Sequence, residues 1–295
     1  MRFSRAKRPI RGSAHFAVSR LSGDRIPFRL ALRLLYERWR YGKYGPFVMH
    51  EPRPPAFYSP AQPSDVEGFE IGPVGRGIDG HVPLGYEAYA WLPNPAWKWV
   101  EPNDEAAVAY ESNTEETLMA LPIKWSEVAA ANGKHMHKSA RWGEICGPCT
   151  DDWSRAVSPS QNWTWGPREQ DITQSTVDVL ARLLSQWTSP TDRCLSGKWE
   201  GGSSWDTDNR IAFAHWTYYV WSCRFRDLVD WLKQPESYER HSEMPHVVWP
   251  EDRSWFLAIL YSGFSSYIAG PRQLIDAILN SDLEAYEVEP TDQTQ

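Results

Sequence analysis

Apolar positions along this chain fall into short unbroken runs and helical stripes, and the clearest alternation between them lies from Val247 to Val288. Trp255 to Tyr261 is a continuous apolar and aromatic run, which predicts a buried strand. Ser262-Gly263 interrupts it, and Ser265 to Ala269 predicts a second strand. Pro271 follows, a residue suited to the first turn of a helix because its missing N–H is not needed there. Leu274, Ile275, Ile278 and Leu279 recur at helical spacing, so an amphipathic helix is expected over Pro271–Asn280, with Asn280-Ser281 as its stop. Leu283 to Val288 suggests a last strand.

Upstream, Tyr86 to Leu92 predicts a strand closed by Pro93-Asn94-Pro95. Asp104 to Glu116 is acidic and polar and reads as an exposed loop. Trp125 to Ala131 predicts a short helix with Ser126 near its start and Asn132-Gly133 at its end. Thr150 to Gln170 is irregular. Asp171 to Trp187 carries Ile172, Val177, Val179, Leu180, Leu183 and Leu184 as an apolar stripe, and Asp171 or Thr173 can cap it. Arg193 to Glu200 and Ile211 to Trp221 predict strands, and Phe225 to Leu232 returns to helical spacing. VWSCRFRDLVDWL echoes YIAGPRQLIDAIL, so either two strand-strand-helix units form a quasi-repeat that pairs, or two ordinary strand-to-helix joints coincide. The pattern as a whole predicts an α+β fold with a mixed or antiparallel sheet, three or four helices and a basic N-terminal helical extension.

Charge divides the chain. Residues 1–53 hold 13 Lys and Arg against three Asp and Glu; with 31 and 38 in the whole chain, residues 54–295 keep 18 against 35. Residues 1–25 are expected to be a disordered basic arm, or a transit peptide by composition. Residues 26–64 combine a basic amphipathic helix over Ile26–Tyr41 with a linker rich in proline between Glu51 and Pro63. Residues 65–290 form the single α+β domain and 291–295 a tail. The acidic body repels phosphate backbones and suits a basic partner, or serves solubility alone. The basic arm could contact nucleic acid. No apolar run approaches a membrane span and no secretory apolar region follows the N-terminus, so a cytoplasmic, membrane-free protein is expected. Four cysteines in 295 residues make no disulfide framework.

Seventeen tryptophans are far more than usual. Trp97/Trp99 and Trp163/Trp165 sit at a spacing of two, which on a strand puts both rings on one face. They are candidate binding residues, because tryptophan is enriched at interface hot spots; core packing is the alternative.

Three groups of residues could carry chemistry. His135 and His137, with Cys146 and Cys149, supply four ligand types that zinc accepts, so zinc is the possible cofactor. Cys146-Gly147-Pro148-Cys149 is also the string of thioredoxin active sites, but it lacks the preceding tryptophan and a strand-to-helix setting. His241, Glu243, His246, Glu251, Asp252 and Arg253 crowd one loop and could do acid–base work, although Glu251 or Asp252 can equally hold the turn after Pro250. No nucleophile motif or HExxH string accompanies them, and no catalytic residue is assigned. Gly75 to Gly80 spells GxGxxG without the preceding strand or following helix that dinucleotide binding needs.

At Ile123–His137, at Trp249–Val288 and in the segment Ile78–Trp97, the chain resembles a family of actinobacterial hypothetical proteins. The resemblance implies a shared architecture and carries no activity with it; the basic arm and the CGPC string depart from it. The expected function is a non-enzymatic protein-binding module, an immunity or antitoxin-like inhibitor of a basic partner among the possibilities. The alternatives are a hydrolase or zinc protein using the loops just named, and a structural or phage-associated protein.

Overall fold

The computed structural model describes residues 57–73, 77–100, 108–111, 117–146, 166–167, 172–202, 210–233, 245–260 and 263–293, all within the compact unit Glu51–Gln295. The expected basic arm, the expected helix over Ile26–Tyr41 and most of the segment Thr150–Gln170, expected to be irregular, lie outside the described residues.

The fold is α+β. Twelve strands occur among the described residues: β1 Ser59–Pro60, β2 Ala88–Pro93, β3 Ala96–Val100, β4 Val108–Glu111, β5 Thr117–Ile123, β6 Arg193–Trp199, β7 Arg210–Phe213, β8 Trp216–Arg224, β9 Val247–Pro250, β10 Phe256–Ile259, β11 Ser265–Gly270 and β12 Tyr286–Val288. Five helices join them: α1 Trp125–Ala131, α2 Trp142–Ile145, α3 Gln174–Leu184, α4 Phe225–Leu232 and α5 Arg272–Leu279. The main sheet runs β1-β8-β6-β9-β10-β11-β2-β12, with β7 also on β8, and β3-β5-β4 forms a separate small sheet. Every pairing is antiparallel.

Both faces of the main sheet are covered, which is why its central strands read as unbroken apolar runs rather than alternations. All residues of β9, β10 and β11 are buried. On one face Ala90, Cys194, Cys223, Val248, Leu257 and Ile268 pack against α3, α4 and α5 through Leu180, Leu184, Leu228, Leu274 and Ile278. On the other, Trp91, Tyr267, Ala258 and Val247 form one cross-strand row. Ile78 and Val82 pack onto that second face, and Phe69 and Trp142 join them. Gly197 continues the row between Val247 and Val220. A Cβ there would stand 2.7 Å from Val247 Cγ2, so only glycine lets that side chain lie across β6.

The local signals hold at several joints. α1 and α4 span the expected residues, and α3 is capped by Thr173, whose Oγ1 accepts the Thr176 N–H at 3.1 Å. α5 starts at Arg272, with Pro271 as its cap and Asn280 at its end. Asp252 holds the turn after Pro250 by accepting the Ser254 N–H at 3.0 Å, while Arg253 takes a φ of 57°. The Gly75–Gly80 string shows no strand before a helix at its described end, where Ile78–Gly80 is a single 3-10 turn.

Elsewhere the structure departs from expectation. Val108–Glu111, inside the expected acidic loop, is strand β4 and pairs with Thr117–Ala120. Ser59–Pro60, in the expected linker, pairs with Trp221 and Ser222 at a sheet edge, where proline's missing N–H is tolerated. The fold therefore begins before residue 65. Gln293 bridges back to Gly77, so the expected tail also takes part. Ile211–Trp221 is two strands joined at Ala214-His215. The two strand-strand-helix units are both present, as β7-β8-α4 and β10-β11-α5, but they do not pair, because β6 and β9 lie between them.

Among the described residues no helix is long and apolar enough to cross a membrane.

A candidate site lined by tryptophan and histidine

Tryptophans build the core of this protein. Trp91, Trp97, Trp125, Trp221, Trp231, Trp249 and Trp255 are all buried. The indole N–H groups of three of them find internal acceptors: Trp91 donates to Ser265 Oγ, Trp125 to the Asn94 carbonyl and Trp255 to Thr188 Oγ1, each at 2.7 Å. Trp97, a candidate surface residue from its spacing with Trp99, is therefore inside. Trp99 sits two residues on in β3, opposite Ala120. Trp163 and Trp165 lie outside the described residues.

Trp216 is the exception. It is 42% exposed, the one large hydrophobic side chain so placed among the described residues. It opens β8 directly after a two-residue turn in which Ala214 and His215 both take positive φ, 48° and 66°. Two left-handed residues in succession match the right-handed twist of a hairpin, a geometry usually filled by Asn-Gly. Here neither residue is glycine, and each left-handed residue costs about 1–2 kcal/mol. His215 offsets part of this by donating from Nε2 to the Gly72 carbonyl at 2.7 Å.

Trp216 meets Trp199, the last residue of β6, edge to face: centroids 5.3 Å apart, planes at 80°. Tyr218 pairs across the sheet with Trp199. A Cβ at Gly201 would fall inside the Trp199 ring, so glycine there lets the chain back the indole closely. These three rings, with His81, His246, Val247 and the end of β10, line a cavity of about 50 Å³, room for a water molecule or two.

The two imidazoles of this cavity are uncharged at neutral pH. Burial pushes His246 down to about 3, and Lys198 adds to the shift. The Trp199 backbone N–H donates to His246 Nδ1 at 2.9 Å, which places the ring proton on Nε2. So weak a base cannot take a proton in the neutral range. Burial also lowers His81, against the opposing field of Asp79. Glu200, which follows Trp199 in the chain, pairs with Arg210 at 3.1 Å.

The other candidate residues scatter. His246 precedes β9 and Glu251 follows it, so the strand separates them. Glu251 binds Arg193 at 2.7 Å, and the Arg253 guanidinium lies 4.3 Å from the Phe69 ring centre. His241 and Glu243 lie outside the described residues. His135 and His137 are exposed after α1, with His137 Nδ1 3.0 Å from Ser139 Oγ. Cys146 is fully buried behind α2, packed with Ala96, Ile123 and Val128. Cys149, the remaining candidate zinc ligand, lies outside the described residues. Among the described residues no three His, Cys, Asp or Glu side chains are grouped to hold a metal ion.

Of the cleft residues, only His246 stood out in the sequence. Trp199, His81 and the adjacent pair His215 and Trp216 come from three separate segments, and the hairpin that presents Trp216 carries no Gly or Asn signal. No protein-family model matches the chain, and neither a curated protein nor a solved structure does.

Proposed function

We propose that this protein is a non-enzymatic binding module that takes a basic protein partner, with the Trp199–Trp216 cleft as its anchor point. The observation that carries the reading is Trp216: a large aromatic side chain held out to solvent on a hairpin turn at a cost in backbone strain, in a protein that buries most of its described tryptophans. Tryptophan is among the residues enriched at binding hot spots. The excess of 35 acidic over 18 basic residues in positions 54–295 supports a basic partner, because opposite charge speeds encounter. An inhibitor of a basic toxin belongs to this class.

The test is affinity capture with the full-length chain in cells that express it natively, comparing the unaltered protein with Trp216→Ala. The expected result is one basic protein in stoichiometric amount, lost from Trp216→Ala and released when salt rises from about 0.05 to about 0.5 M, where surface charges are screened. A partner held equally by Trp216→Ala and at high salt would refute the reading, as would the absence of any stoichiometric partner.

A further inference from the structure

We infer that Cys194 and Cys223 form a disulfide site, at which oxidation staples β6 to β8 at the strand ends opposite Trp199 and Trp216. The structure shows the reduced form, with both thiols free. The inference is independent of the binding-module reading above and stands or falls without it.

The register of the sheet carries it. Cys194 and Cys223 stand directly opposite each other in the antiparallel β6–β8 pair, between Arg193–Arg224 and Leu195–Ser222. Opposed residues of such a pair have Cα atoms about 4.5–5.5 Å apart. A disulfide spans about 4.4–6.8 Å between Cα atoms, so the backbone already stands at the distance the bond needs. The two side chains also leave the sheet on one face, where both join the apolar cluster of Phe225 and Leu228. Opposed Cβ atoms lie about 4.5–5.5 Å apart, against about 3.5–4.5 Å in a disulfide, so closure draws the strands together by about 1 Å. A bond formed under that load is more easily reduced than a relaxed one, which makes the staple reversible. The ring it closes runs from Cys194 to Cys223 and takes in all of β7, Trp199 and the turn at Ala214-His215. Closing a loop of about 30 residues restricts the unfolded chain.

Burial pushes both thiols up, Cys223 to about 12, and the facing Cys223 adds to the shift of Cys194. The thiolate is the attacking species, so the folded pair reacts slowly and the bond forms while the chain folds, before burial is complete. One thiolate attacks a small disulfide such as oxidised glutathione and releases half of it as a thiol. The second thiolate then displaces the other half. Two protein thiols are oxidised to one S–S bond, the small disulfide is reduced to two thiols, and the two protons end on those products.

The experiment refolds the full-length protein from urea in reduced and in oxidised glutathione, blocks the remaining thiols and maps tryptic peptides by mass without reduction. Cleavage after Arg193, Lys198, Arg210 and Arg224 puts the two cysteines in separate peptides, Cys194–Lys198 and Ile211–Arg224. Cys146 and Cys149 share a third peptide, Trp142–Arg155, so a bond between them cannot mimic the result. The expected outcome in oxidised glutathione is soluble protein with native near-ultraviolet circular dichroism in which the two peptides are joined, and parted again by a reductant. The joined form should melt about 5 °C above the reduced one. Cys194→Ala and Cys223→Ala remove one sulfur each and should melt at the same temperature in both buffers. The absence of the joined peptides from refolded soluble protein would overturn the inference. So would a joined form that has lost its native dichroism or melts no higher than the reduced protein. A difference in melting that persists in Cys194→Ala would also overturn it, because the effect would then belong to other cysteines.

Discussion

Replacing Asp65 by asparagine should release the clamp that fastens residues 57–73 to the sheet. The Asp65 carboxylate accepts two hydrogen bonds from Arg193, at 2.9 and 2.8 Å, and a third from the Gln62 backbone N–H at 2.7 Å. The side chains are 14% and 32% exposed, so the pair sits between a surface and a buried ion pair. A surface pair contributes about 0–1 kcal/mol, and one hydrogen bond to a charged group about 1.5–3 kcal/mol. Two such bonds, half shielded, give about 2 kcal/mol for the loss in Asp65→Asn at neutral pH. Urea denaturation should show a lower midpoint at unchanged slope. The pH dependence has a definite sign. The Arg193 hydrogen bonds hold the Asp65 carboxyl below its ordinary value despite the opposing effect of burial, and the Gln62 N–H adds to them. The unfolded chain therefore binds that proton more tightly. The stabilisation is complete above the ordinary carboxyl range and is lost as pH falls through that range toward the folded value. The gap between Asp65→Asn and the unaltered protein should thus narrow below about pH 4. A gap under about 0.5 kcal/mol at neutral pH, the scale of an inert surface change, or one equally large in acid, would refute the argument. The consequence reaches the cleft, because the same segment carries Gly72, whose carbonyl anchors His215, and Phe69, which packs on Phe213 and Trp249.

Glu284 caps α1 from a distance, its carboxylate accepting the N–H groups of Trp125 at 2.6 Å and Ser126 at 2.8 Å. Glu284→Ala should therefore cost about 2 kcal/mol in denaturant, with Glu284→Gln between, whereas Ser126→Ala should cost little. Gly197→Ala drives a methyl into Val247 and should cost about 1–3 kcal/mol. Adding Val247→Ala should recover part of that loss, and strict additivity of the two would contradict the packing account. Trp249 stacks on Phe256 at 5.5 Å, yet its buried Nε1 has no hydrogen-bond partner among the described residues. Trp249→Phe removes that orphaned donor, so its loss in a thermal melt should stay near 1 kcal/mol rather than the about 3–5 kcal/mol of Trp249→Ala.

The helices and the central hairpin were written locally. Trp125–Ala131, Phe225–Leu232, Leu274–Leu279 and the run Trp255–Tyr261 declare themselves because period and apolar content are properties of adjacent residues. So does the Thr173 cap, whose hydroxyl reaches only three residues along the chain. Contacts between distant segments leave no such trace. The cap of α1 is a glutamate 159 residues away, not the serine beside the helix start. Strands β1 and β4 escaped notice because one is two residues in a proline-rich run and the other is embedded in polar sequence. Each is a strand only because a neighbour offers its edge.

By itself the sequence determined an α+β protein, the positions of its amphipathic helices and the charge contrast between its first 53 residues and the rest. Tertiary structure decided which tryptophans are inside, that β6 and β9 part the two similar units, and that Trp199, Trp216, Tyr218, His81 and His246 face one cavity. Burial depends on what packs from the other side of the sheet, and a site of this kind is made of residues whose closeness exists only after the chain has folded.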